Sequence, residues 1–149
     1  MKNFTLIFLL FITTANAQST DYNVKKGFIA NGFDVVAYFD NKVLEGNKKF
    51  ASTHDGVSYK FSSQKNLELF NKNPKKYIPQ YGGYCAYAVA IKADKIGINP
   101  ESFEIRNNKL YLFYNAWGTN TLSFSTALYH LCVPNIVSPN HYEPYSCCS

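Results

Sequence analysis

Methionine occurs once in this sequence, at the initiator position, and arginine once, at Arg106. Once a leader is removed no thioether remains, so sulfur ligation by methionine is excluded. The single arginine leaves the chain almost without the side chain best suited to forked contacts with phosphates and base edges. The formal charge is +5, yet the lysines are scattered, with Lys25-Lys26, Lys48-Lys49 and Lys75-Lys76 far apart along the chain. That pattern describes a solvated, mildly basic surface, and no nucleic-acid partner is expected. Long apolar runs are missing too. The run Phe4 to Ile12 is far too short to cross a bilayer. Cysteine is sparse where it would matter most: only Cys85 lies in the body of the chain, while Cys132, Cys147 and Cys148 crowd the C-terminal end. A disulfide framework for the body is therefore excluded, and no C-x-x-C pair is present. Carboxylates are few and dispersed, no glycine-rich phosphate loop occurs, and the histidines lack metalloprotease spacing.

What is present begins with a leader. Lys2 supplies a charged start, Phe4 to Ile12 the apolar middle, and Ala15-Asn16-Ala17 a small-residue cleavage site. No cysteine follows that would carry a lipid. The reading is a signal peptide over residues 1–17 and an exported protein, periplasmic or extracellular, with no membrane span after removal of the signal. Residues 18–31 form a polar lead-in, and residues 32–122 are long enough for one domain with a real core.

Within that domain the hydrophobic pattern predicts a small α+β fold, with short hairpins packed on one or two helices. Val35 to Phe39 is a short apolar run, either a strand or one helical turn. Asp55-Gly56 is a two-residue hairpin loop between Lys48–His54 and Val57–Phe61. Counting outward pairs His54 with Val57, Ser52 with Tyr59 and Phe50 with Phe61. Ser62 and Ser63 are both placed to cap a following helix, on which Leu67, Phe70, Pro74 and Tyr77 share one face. Asn73-Pro74 breaks or restarts that helix. Asn107-Asn108 marks a second hairpin between Ser102–Arg106 and Lys109–Tyr114. Beyond Leu110 the only charged residue is Glu143, and residues 123–149 form an atypical tail rich in Ser, Cys and Pro.

Three segments taken together resemble a known family: GFDVVAYFDNKVLEGNKKF, then DGVSYKFSSQKNLELFNKNPKKYIPQYGGYCAYAVA, then KLYLFYN. They are similar to the YHS-domain family, and within it to an exported branch of small stand-alone bacterial proteins. The resemblance covers roughly residues 28–122. It implies a compact α+β unit related to small metal-binding modules. In the metal-associated branch cysteines stand near the positions of Ala37, Ser62 and Asn66, and this sequence has none of them. In the exported branch selenocysteine sometimes replaces the cysteine at the position of Cys85, which implies redox or soft-metal chemistry there. Relatives continue past the position of Leu122 with a charged amphipathic helix. Ser123 onward bears no likeness to it, as a shifted reading frame or a replaced terminal helix would produce.

The residues that bear on function therefore gather at YGGYCAYAVA, Tyr81 to Ala90. Gly82 and Gly83 can adopt positive φ and let backbone N–H groups approach a ligand. A helix beginning at Ala86 would place Cys85 at its positive end, which favours thiolate. Tyr84 is placed to screen the sulfur or donate to it. Against this, free cysteine is among the most buried residue types and packs as a small hydrophobe. Three readings stay open. The first is a binding module holding copper or zinc on Cys85, with His54 or Asp34 assisting and a homodimer supplying missing ligands. The second is a thiol redox protein that exchanges with a small thiol. The third is an interaction or structural domain with an inert Cys85.

Overall fold

The computed structural model describes residues 21–125. The leader at 1–17 and most of the atypical tail, with His130, Cys132, His141, Cys147 and Cys148, lie outside the described residues.

The described chain contains four antiparallel hairpins, three short α-helices and three 3-10 turns, with a further helical stretch at its end. The first hairpin pairs β1 (Val24–Lys25) with β2 (Phe28–Ile29). The apolar run that follows becomes a 3-10 turn over Ala37–Asp40, closed by Asn41 in the left-handed region at φ 56°. Asparagine tolerates that conformation, which lets the chain reverse at once.

The second hairpin joins β3 (Asn47–His54) to β4 (Val57–Phe61) across Asp55-Gly56, both with positive φ. The pairs His54–Val57 and Ser52–Tyr59 form as the pattern predicts. The expected Phe50–Phe61 pair does not: Phe61 pairs with Asn47, and the register shifts between Asn47 and Ala51. The cause is local. The Asn47 side chain accepts the Lys49 N–H at 2.9 Å, which takes a donor out of the ladder and forces a bulge.

The third hairpin repeats the device. It joins β5 (Asn99–Arg106) to β6 (Lys109–Phe113) across Asn107-Asn108, both at positive φ. At its start the Asn99 side chain accepts the Glu101 N–H at 3.0 Å, and the register shifts between Asn99 and Phe103. The fourth hairpin, β7 (Asn115–Ala116) with β8 (Thr119–Asn120), turns on Trp117-Gly118.

Of the two candidate caps, Ser63 takes the helix: its side chain accepts the Asn66 N–H at 3.2 Å at the start of α1 (Gln64–Lys72). Pro74 restarts the chain as α2 (Pro74–Tyr77), where its missing N–H leaves nothing unpaired. The predicted apolar face packs inward. Phe70 is fully buried, with Tyr59 and Phe61 stacked on it at ring separations of 4.5 and 5.0 Å, and Phe39 meets Tyr77 edge-on at 5.1 Å. The next helix, α3 (Ala86–Lys92), begins immediately after Cys85, and a further helical stretch starts at Thr121. Among the described residues, no helix is long and apolar enough to cross a membrane.

Candidate functional site

Asp34 is 0% exposed, and its carboxylate is surrounded by donors. Oδ1 accepts the backbone N–H groups of Val36 at 2.9 Å and Ala37 at 3.2 Å. Oδ2 accepts from the Ser62 N–H at 2.8 Å, the Ser62 hydroxyl at 2.6 Å and the Asn66 amide at 2.7 Å. Five donors leave the carboxylate little lone-pair capacity for anything else. Among the described residues these hydrogen bonds hold the carboxylate, and they tie the turn after Phe33 to the end of β4 and the start of α1. One consequence appears on the neighbouring Tyr38. Burial first, and then the Asp34 charge, push its phenol well above the usual tyrosine range, while its hydroxyl donates to the Pro100 carbonyl at 2.9 Å.

The positions of Ala37, Ser62 and Asn66, where the metal-associated relatives are expected to place cysteine, thus converge on one point. Here they offer two backbone amides, a hydroxyl and a carboxamide around a carboxylate. No thiol faces it.

Cys85 occupies a different part of the fold. Gly82 and Gly83 take φ of 63° and 79°, so the predicted turn forms. What approaches the glycines is the lead-in segment. A Cβ on Gly82 would sit 2.5 Å from the Asp21 carbonyl oxygen, and one on Gly83 would press on Ile29 at 3.1 Å. Asn23 then stitches the two segments together: its N–H donates to the Gly82 carbonyl and its side chain to the Gly83 carbonyl, both at 2.9 Å. Asp21 completes the latch by accepting from Lys95 at 2.8 Å and from the Tyr84 hydroxyl at 3.2 Å. The hydrogen bond from Lys95 draws the Asp21 carboxyl below its ordinary value, whereas burial first and then Asp21 raise the Tyr84 phenol.

The Cys85 residue itself is 0% exposed. Its N–H donates to the Ile96 carbonyl at 2.9 Å, its carbonyl accepts from Val89 at 3.1 Å, and its backbone bridges in parallel to Leu112. The sulfur lies 3.3 Å from the Thr121 hydroxyl oxygen. Thr121 has one hydroxyl hydrogen and gives it to the Tyr114 carbonyl at 2.8 Å. With that hydrogen on Tyr114, the thiol is the donor in the sulfur contact. Although Cys85 immediately precedes α3, its side chain makes no capping bond to that helix.

His54 sits at the tip of the second hairpin, where Asp55 lies 3.5 Å from Nε2 and Phe70 meets the ring edge-on at 6.2 Å. Cys85, His54 and Asp34 thus have separate neighbours. Among the described residues, no group of three or more histidine, cysteine, aspartate or glutamate side chains is placed to hold a metal ion.

A family model for the YHS domain matches residues 35–81. This chain carries a YHS domain. The matched span contains Ala37, Ser62 and Asn66 and stops before Cys85, so the thiol stands outside it. No curated protein and no solved structure matches the chain.

Several residues at these sites escape a reading by local pattern. Ser62 and Asn66 lie 28 and 32 positions from Asp34, and Thr121 lies 36 from Cys85. No spacing rule pairs residues so far apart. The one available signal was the second serine of Ser62-Ser63, since a helix needs only one cap.

Proposed function

We propose that this YHS domain is a binding module and not a turnover catalyst, with Cys85 as a covered soft donor that meets its ligand when the segment carrying Thr121 lifts. The ligand class we assign is a soft metal ion, copper(I) or zinc(II), consistent with the chemistry of a single sulfur and with the metal-associated relatives. The observation that carries this reading is the Cys85–Thr121 contact at 3.3 Å. One hydroxyl, on the residue that follows a hairpin of two-residue strands, caps the sulfur. Export, read from residues 1–17, belongs to the same proposal and predicts a mature chain that begins at Gln18.

A second reading has its own support. Full burial and a thiol acting as donor also describe a small apolar residue filling the space between α3 and β6. On that reading Cys85 is inert and the domain works through its surface.

Native mass spectrometry separates the two. Cys132, Cys147 and Cys148 are first changed to serine, and the protein is given one equivalent of copper(I) or zinc(II) under reducing conditions. The metal-binding reading predicts a one-metal adduct that disappears in Cys85→Ser. An adduct of equal intensity in both proteins, or none in either, contradicts it.

A further inference from the structure

The β3–β4 hairpin carries two buried polar atoms without a protein hydrogen-bond partner among the described residues, His54 Nε2 and the Tyr59 hydroxyl oxygen. Tyr59 is 1% exposed, so its hydroxyl has no direct access to bulk solvent. An unpaired buried polar group is strongly disfavoured, and native folds rarely keep one, let alone two on one element.

The register brings these two residues together. His54 pairs with Val57 and Ser52 with Tyr59, so all four side chains point to one face, with His54 and Tyr59 as diagonal neighbours. Both rings rest on Phe70, at 6.2 Å for His54 and 4.5 Å for Tyr59, and that packing restricts their directions. A third polar group stands beside them. Asp55 Oδ2 is 3.5 Å from His54 Nε2, longer than a strong charge-assisted hydrogen bond, and its side chain is 66% exposed, so the carboxylate stands on the solvent side of the pair.

The chemistry of the three groups is complementary to one small ligand. Burial, with Tyr22 and Asp55 adding to it, pushes the Tyr59 phenol upward, so Tyr59 is a donor. Asp55 can only accept, and His54 with its proton on Nδ1 accepts at Nε2. We infer that His54, Asp55 and Tyr59 hold one water molecule, which accepts from the Tyr59 hydroxyl and donates to His54 Nε2 and to Asp55. Three partners is the usual complement of a water held by a protein, here with Tyr59 on its buried side and Asp55 on its solvent side. The assignment gives His54 a function of its own at the hairpin tip, apart from any chemistry at Cys85.

Water–protein cross-relaxation in the nuclear magnetic resonance spectrum of the folded chain tests this. The expected result is a slow-water cross-peak to the ring protons of both Tyr59 and His54, with the His54 peak lost in Tyr59→Phe. That variant should also raise the unfolding equilibrium constant about tenfold, equivalent to about 1.4 kcal/mol. No slow-water peak in the parent chain overturns the inference, as does a His54 peak that survives in Tyr59→Phe. A Tyr59→Phe variant more stable than its parent would mean that the hydroxyl is an unpaired burden, and it too overturns the inference.

Discussion

At the scale of single residues, Asp34 is the polar group on which the fold depends most. Its five donors come from three places in the chain, and of these the Ala37 N–H is shared with the Asp34 backbone carbonyl, also at 3.2 Å. Replacing Asp34 by alanine strands several buried donors at once. We expect Asp34→Ala to lower stability by about 3 kcal/mol or more, the size associated with breaking a buried hydrogen-bond network. Ser62→Ala, which removes one of the five, should lower it by about 1 kcal/mol. Urea unfolding at an unchanged slope checks both values. Equal losses for the two variants would mean that the serine, and not the carboxylate, organises the node. The sequence made Asp34 visible as an isolated acid before an apolar run, but its partners were invisible because they lie a hairpin away. For Cys85 the balance is similar. The turn, the positive-φ glycines and the helix start were legible from neighbouring residues, whereas the Thr121 hydroxyl that touches the sulfur comes from the far end of the domain.

At the scale of elements, local rules carried the hairpins and helices well and failed where a side chain competes with the backbone. The two-residue loops Asp55-Gly56 and Asn107-Asn108 form where their turn chemistry predicts. The Phe50–Phe61 pair fails because Asn47 captures an amide two residues on, and Asn99 does the same in the third hairpin. The glycines divide in a comparable way. A Cβ on Gly56 would meet nothing within 4 Å, so Gly56→Ala should cost only the left-handed backbone penalty, about 1 kcal/mol. A Cβ on Gly82 would collide with the Asp21 carbonyl at 2.5 Å as well as being held at positive φ. Gly82→Ala should therefore cost more, about 3 kcal/mol, and should release Asp21 to Asn23 from the turn. Thermal unfolding of the two variants side by side checks the order. A Gly82→Ala chain as stable as Gly56→Ala would mean that the lead-in does not cross the turn.

At the scale of the whole molecule, the lead-in closes one side of the Cys85 turn and the Thr121 segment closes the other. The first closure responds to acid. The Asp21 carboxyl, with an ordinary value of 3.8, is lowered in the folded state chiefly by the hydrogen bond from Lys95. A carboxyl lowered on folding contributes stability that is fully present above its unfolded value and is lost as the pH falls through its folded one. Amide exchange at Asn23 should therefore be protected above about pH 4 and lose protection in more acidic solution before the β3–β4 core does. Protection at Asn23 that follows the core at every pH would contradict a separate latch. The second closure bears directly on function. The decisive measurement is the rate at which an alkylating reagent modifies Cys85 in the native protein and in Thr121→Val, with urea stability measured in parallel. The account predicts slow labelling of the parent, and labelling at least tenfold faster in Thr121→Val at nearly unchanged global stability. Labelling of Cys85 in both proteins only as fast as global unfolding allows would contradict a thiol uncovered by a local movement, and would leave it an inert part of the core.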